Sequence, residues 1–201
     1  MQSRATTPLR ATLAASLMLA AIAGAAIAGP FEDGVDAANR GEFQTALRIF
    51  RPLAEKGHAG AQSALGYMYE YAQGVPQDYV ASEKWHRRAA EQGDAFSQTR
   101  LAFIYQFGEG VPRNETEAAK WFRRAAQQGH VAAQNSIGRM YASGRGVATD
   151  YVAAYMWLSL SAARGDRDAA VNREMVEKLM TPAQIAEAKN LEREWKPKPE
   201  R

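Results

Sequence analysis

Residues 97–132 read SQTRLAFIYQFGEGVPRNETEAAKWFRRAAQQGHVA, and the blocks on either side, 61–96 and 133–168, repeat this pattern in register. Tyr69, Tyr105 and Tyr141 share a column, as do Gly74, Gly110 and Gly146; Trp85, Trp121 and Trp157; and Gly93, Gly129 and Gly165. A repeat of roughly 20–50 residues marks a solenoid, whose units bury their apolar faces only against their neighbours. The period therefore predicts a stacked scaffold before any single residue is weighed.

Within the middle block, Leu101, Ile104 and Tyr105 fall at i, i+3 and i+4, one stripe of a helix. A first helix, A, is expected from Gln98 to Phe107. Gly108-Glu109-Gly110-Val111-Pro112 ends it, with glycines for left-handed backbone and a proline that cannot continue a helix. Asn114 is placed to cap a second helix, B, with Glu117 as its capping-box partner. Helix B then runs to about Gln128 and carries Ala118, Trp121, Phe122 and Ala125 on one side, with Gly129 in the place of a C-terminal capping glycine. Asp78 and Asp150 stand where Asn114 does. Gly66, Ala102 and Gly138 keep helix A slim at one level, and a helical Gly costs about 1 kcal/mol, so another helix is expected to cross closely there. The repeated Trp is expected to be a packing anchor.

Upstream, residues 29–60 form an N-terminal unit, with an A helix over Phe31–Asn39 and Gly41–Phe50 in the register of helix B. Downstream, residues 169–195 provide two capping helices, Asp168–Met180 and Pro182–Trp195, the second opened by Thr181, Pro182 and Gln184. Polar terminal units keep a solenoid soluble. Residues 196–201 alternate Lys and Pro and are expected to fray. The fold class is thus all-α, an αα-hairpin solenoid of three full repeats (61–96, 97–132 and 133–168) between an N-terminal unit and C-terminal caps.

Residues 1–28 stand outside the repeat. Arg4 and Arg10 precede an Ala-rich apolar run, and Ala26-Ile27-Ala28 is a small-x-small site, the three parts of a secretory signal peptide cleaved after Ala28. The product is expected in the periplasm or secreted, with no retained membrane span. An uncleaved anchor is the competing reading, since the apolar run approaches the ~18 residues a span requires, but that run is built of Ala and Gly more than Leu. Losing the two arginines lowers the formal charge from +3 to +1, which gives no case for nucleic acid. The chain contains no Cys, so disulfides, thiolate metal sites and cysteine nucleophiles are excluded.

The columns also carry a family resemblance. Ala61-x-x-x-Leu65-Gly66-x-x-Tyr69, Gly74-Val75-x-x-Asp78, Ala81-x-x-x-Trp85 and Ala89-Ala90-x-x-Gly93 resemble the Sel-one-like repeat, a relative of the tetratricopeptide repeat. Residues 137–165 match it equally well. Ala72 departs from the loop glycine held by Gly108 and Gly144, and Ser161 departs from the Ala-Ala pair. The resemblance implies an αα superhelix that acts as a protein–protein adaptor. Members linked to β-lactams or cell-wall peptides are Cys-rich, which this chain is not.

The histidines do not assemble a metal or catalytic motif by spacing. His58 and His130 share with Asp94 and Asp166 a position suited to capping the next A helix, and His86 shares a packing column with Phe122 and Leu158. No two His lie i, i+4 on one helix, and no P-loop or EF-hand pattern occurs. Catalytic, cofactor and metal residues are therefore not assigned, although Ser63, Ser82, Ser97, Ser136 or Ser159 leave a dispersed triad open. Arg51, Arg87 and Arg123 form a column, with Arg88 and Arg124 beside two of them, expected to lie in solvent near the ends of B helices.

The positions that vary while the packing columns stay fixed lie at i, i+4 and i+7 on helix A. They are Ser63, Tyr67 and Glu70; Thr99, Phe103 and Gln106; and Asn135, Arg139 and Ala142. Positions not needed for the repeat are free to specify a partner, and this helix commonly lines the concave surface of helix-pair solenoids. The reading is a non-catalytic scaffold of the bacterial envelope that binds a protein or extended peptide there. A cell-wall peptide or β-lactam hydrolase and a regulatory subunit of an envelope enzyme or polysaccharide system are the alternatives.

Overall fold

The computed structural model describes residues 29–200. The signal sequence and its cleavage after Ala28 lie outside the described residues, as does Arg201. The described chain forms ten α-helices in order: α1 Pro30–Asn39, α2 Phe43–Glu55, α3 Ala59–Glu70, α4 Tyr79–Glu91, α5 Ala95–Phe107, α6 Glu115–Gln127, α7 Val131–Ser143, α8 Tyr151–Ala162, α9 Arg167–Glu177 and α10 Pro182–Glu194. No described helix is long and apolar enough to cross a membrane. Two units divide the chain between Ile49 and Phe50, inside α2.

The first unit contains α1 and the opening of α2, as the register predicts. Pro30 occupies the first turn of α1, where its missing N–H costs nothing. Ala37 and Ala46 are buried, and a Glu42 N–H to Ala37 O bond of 2.9 Å closes the turn.

The second unit is the solenoid. Helices α3, α5 and α7 are the A helices of the three repeats, and α4, α6 and α8 are their B partners. Each B helix begins on the residue expected to cap it: Asp78, Asn114 and Asp150 accept from the backbone N–H three residues on at 2.9, 3.0 and 2.9 Å. Thr181 and Gln184 form the reciprocal capping box at the start of α10.

The slim level of helix A is where the B helix of the same repeat crosses. A Cβ on Gly66 would lie 2.8 Å from three ring atoms of His86, and one on Gly138 would lie 2.8 Å from Leu158 Cγ and 3.2 Å from the Ala154 carbonyl. Between these crossings the core is continuous, with Leu101, Ile137, Trp121, Phe122 and Trp157 in one cluster. Trp121 and Trp157 are buried, while Trp85 is half-buried.

Three expectations change on contact with the structure. The arginine column is only partly in solvent: Arg51 is exposed as expected, whereas Arg87 and Arg123 are half-buried. Arg51 donates to the Tyr69 hydroxyl at 3.5 Å, Arg87 donates to the Tyr105 hydroxyl, and Arg123 lies over the Tyr141 ring at 5.7 Å. Each arginine thus meets the repeated tyrosine of the next A helix, by a hydrogen bond at Arg51, a ring contact at Arg123 and both at Arg87, since a planar guanidinium can stack as well as donate. The second change concerns His130. It occupies the N-cap of α7 without a side-chain capping bond; its Nδ1 instead lies 3.0 Å from Thr99 Oγ1.

The third is the tail. Residues 196–200 do not leave the fold: Lys198 N–H donates to Gln127 O at 2.8 Å, and the Glu200 carboxylate accepts from Arg124 Nε at 3.0 Å and Gln98 Nε2 at 2.9 Å. Pro residues lower the entropy lost when such a segment docks. The Lys-Pro alternation was therefore a sign of extended chain and not of fraying.

Candidate functional site

The variable columns of helix A separate into an internal and an external set. Ser63 Oγ donates to Asp94 Oδ1 at 3.1 Å, Thr99 Oγ1 meets His130 Nδ1 at 3.0 Å, and Asn135 Nδ2 donates to Asp166 Oδ2 at 3.0 Å. Each pair ties one A helix to the N-cap residue of the next. The residue types change from repeat to repeat, but each keeps a polar partner at the next N-cap, Asp94, His130 or Asp166, so this column serves stacking. Thr99 is buried accordingly.

Glu70 is also internal. Only 4% exposed, it accepts from Arg100 Nε at 3.1 Å and lies 3.5 Å from His86 Nε2. His86 Nδ1 in turn meets Ser97 Oγ at 3.1 Å, and Ser97 Oγ donates to Ser63 Oγ at 2.9 Å. This is the one described cluster that joins a serine, a histidine and a carboxylate. His86 and Ser97 are both completely enclosed, so the cluster is a buried polar strut and not a surface on which a substrate lands. Burial drives the His86 pKa down from 6.5 to about 4, because an enclosed imidazolium loses its hydration. Among the described residues no group of His, Asp and Glu is arranged to hold a metal ion.

The external set reaches the surface of the A helices. Tyr67 and Arg139 are exposed, and Phe103, Gln106 and Ala142 are half-buried. Around Tyr67 and Phe103 the structure adds residues that the variable columns did not select: Tyr71, Phe96, Arg100 and Phe107. Tyr67 lies 4.4 Å from Tyr71 and 6.3 Å from Phe96, ring centroid to centroid. Arg100 bridges onward, 5.6 Å from the rings of both Tyr71 and Phe103. Phe103 stacks on Phe107 at 6.0 Å and an interplanar angle of 5°.

The result is two groups of rings across α3 and α5, joined through Arg100 and mostly exposed; Phe107 is 66% exposed and Tyr71 45%. At the far end Phe103, Phe107 and Met140 border a cavity of about 280 Å³ between α5 and α7, with Gln106, Arg139 and Arg145 on its polar side. Arg145 is held by Glu115, at 2.6 Å, whereas no ion pair engages Arg139 among the described residues. The missed residues had a readable signal: Tyr67/Tyr71 and Phe103/Phe107 are i, i+4 aromatic pairs, neighbours on a helix surface.

With the geometry in place, comparison with known proteins is informative. The model of the Sel1 repeat matches residues 59–94, 95–130 and 131–166, more than half of the chain, and the protein belongs to that family. Its members generally serve as protein-interaction scaffolds. Similar solved structures include a Sel1 repeat protein from Oxalobacter formigenes, 29% identical with a TM-score of 0.69, over 72% of this chain and 60% of that one. Another is c5321, a protective antigen of uropathogenic Escherichia coli displaying an SLR fold, 28% identical with a TM-score of 0.56, over 75% of this chain and 40% of that one. The chain thus spans less than two thirds of either. No curated protein gives a match.

Proposed function

We propose that the protein is a non-catalytic adaptor of the bacterial envelope whose A-helix face takes an extended segment of another protein, rich in apolar side chains and bearing acidic groups. The observation that carries this reading is the run Phe96, Tyr67, Tyr71, Arg100, Phe103 and Phe107, with its exposed rings. Monomeric proteins rarely leave large rings side by side in water without a partner, and Tyr, Phe and Arg are the residues enriched where proteins meet. The rings supply area, and Arg139 at the edge of the cavity supplies an unpaired positive charge for an acidic side chain. Export rests on the sequence of residues 1–28, which has the order of a signal peptide.

The test is photo-crosslinking in cells, with the reactive residue at Tyr67 or Phe107 and a control at Val80, an exposed position at the start of α4. One protein captured repeatedly from the A-helix positions and not from Val80 supports the assignment. Capture of scattered abundant proteins alone would overturn it. N-terminal sequencing of the exported product checks cleavage after Ala28.

A further inference from the structure

The docked tail reveals a recognition unit that occurs twice. Glu200 is read by Gln98, Gln128 and Arg124: Gln98 Nε2 and Arg124 donate to its carboxylate, and its backbone N–H points to Gln128 Oε1 at 3.5 Å. These donors lower its pKa, the Arg124 hydrogen bond most of all. The glutamate lies over Gly93, where an added Cβ would come within 3.0 Å of Glu200 Cβ.

The donors are pre-set by the helices and not by the tail. Gln98 Nε2 also donates to the Ala90 carbonyl at 3.1 Å, Gln128 Nε2 donates to Gln98 Oε1 at 2.9 Å, and Arg124 lies over the Trp121 ring at 4.6 Å. One repeat earlier the same residue types stand in a similar arrangement, except that Gln128 also donates to the Gly93 carbonyl at 2.9 Å whereas Gln92 donates to the Arg88 carbonyl of its own helix at 3.2 Å. Gln62 Nε2 donates to the Ala54 carbonyl at 3.0 Å, Gln92 Nε2 donates to Gln62 Oε1 at 2.7 Å, and Arg88 lies over the Trp85 ring at 4.7 Å. Gln62 is 4% exposed, so its amide is held as firmly as that of Gln98.

Occupancy differs as well. Beside Gly57, the counterpart of Gly93, no described atom lies within 4 Å of the built Cβ position. Arg88 is exposed and joins no ion pair among the described residues. The third repeat does not offer the set, because Leu160 and Arg164 replace the arginine and the second glutamine.

We propose that Gln62, Arg88 and Gln92 form a second carboxylate-binding site, which takes a glutamate side chain on an extended segment of a partner protein. The segment would follow the edge of the B helices as the tail does, with its carboxylate received by the Arg88 guanidinium and the second N–H of the Gln62 amide. Such charge-assisted bonds are roughly twice as strong as neutral ones. This edge is separate from the aromatic face of the A helices, and the proposal does not depend on that face binding anything.

The probe is a blocked peptide with the tail's own sequence, acetyl-Lys-Pro-Lys-Pro-Glu-amide, titrated into the full-length chain while the Trp85 indole and the Gln62 and Gln92 side-chain amides are followed by NMR. The expected result is a saturable shift of those three signals. A peptide ending in Gln should bind at least tenfold more weakly, as should Arg88→Ala, while Arg124→Ala leaves the Trp85 response in place. Arg88→Lys keeps the charge and should lose less than Arg88→Ala, which separates recognition from any loss of Trp85 packing. The proposal fails if the three signals stay still at millimolar peptide, if the Glu and Gln peptides act alike, or if only Trp121 and Gln98 respond, which would mean exchange with the chain's own tail. A concentration-dependent dimer in sedimentation that Glu200→Gln abolishes would assign the site to a second copy and would also overturn it.

Discussion

Repeats 1 and 3 cross their two helices over the same glycine yet fill the crossing differently. In repeat 3, Leu158 sits on Gly138 as an apolar knob. In repeat 1, His86 sits on Gly66 and brings a polar strut with it, through Ser97 to Ser63 on one side and toward Glu70 on the other. The backbone requirement, a missing Cβ, is common to both; the chemistry that fills the gap is not. A crossing fixes volume far more tightly than polarity: His86 Nδ1 pairs with Ser97, while its Nε2 has the Glu70 carboxylate 3.5 Å away and no hydrogen bond among the described residues.

The largest effect should come from emptying the apolar crossing. Leu158→Ala is expected to cost about 2–5 kcal/mol, as buried leucine truncations do, with no dependence on pH between 5 and 8. Urea denaturation checks this, and a loss below about 1 kcal/mol would mean that the crossing is not the core of repeat 3.

The polar crossing should instead be pH-sensitive. Because burial holds His86 near pKa 4 against its ordinary 6.5, the unfolded chain binds a proton in that interval which the folded chain refuses. Stability then falls as pH drops from about 6.5 toward 4 and levels off below. His86→Leu, which copies repeat 3, removes this slope, so relative to the parent it should be more stable at pH 5 than at pH 7.5 by about 2 kcal/mol. Parallel stability profiles for the two proteins would sink the assignment.

Filling the notch sharpens the comparison further. Gly66→Ala and Gly138→Ala both gain helix propensity of about 1 kcal/mol but overpack, at about 1–3 kcal/mol. Gly66→Ala should lose more, since three atoms of a rigid ring lie at 2.8 Å, whereas at Gly138 only Leu158 Cγ lies that close. Thermal melts of the pair give the order directly.

The smallest effect lies in the loops. Ala72 adopts φ +55° where Gly144 of repeat 3 has +69°. A residue with a Cβ is strained in left-handed backbone by roughly 1–2 kcal/mol. Ala72→Gly recovers part of this and loses some unfolded-state restriction, so a net gain of about 0.5–1 kcal/mol is expected. A loss in the same melts would show that the loop does not hold this conformation.

Much of this was legible in one repeat. The caps Asp78, Asn114, Asp150 and Thr181 follow from local hydrogen bonding, which needs only a few residues of chain, and Gly66 and Gly138 announced a crossing because nothing else justifies glycine inside a helix. The variable columns were less readable. Ser63, Thr99 and Asn135 looked free because their types change, yet each is bonded to a residue 31 positions away. A bond to a residue one repeat away is invisible in a single column.

The arginines misled for a related reason. Arg87 and Arg123 read as solvated from their own helix, but the surface that covers them is the tyrosine of the next repeat. The tail gave the least signal, since its partners Gln98 and Arg124 lie 102 and 76 residues back.

By itself, then, the sequence determined the helices, their caps, the repeat and the notch at which each pair crosses, because these depend on residue size, backbone freedom and periodicity within some 36 positions. The tertiary structure alone decided which variable residues are buried, that Tyr67, Tyr71, Phe96, Phe103 and Phe107 join through Arg100 into one face, and that Glu200 returns to the second repeat. Those outcomes depend on how separate helices come to share surface and pair their polar groups, and no local rule carries that information.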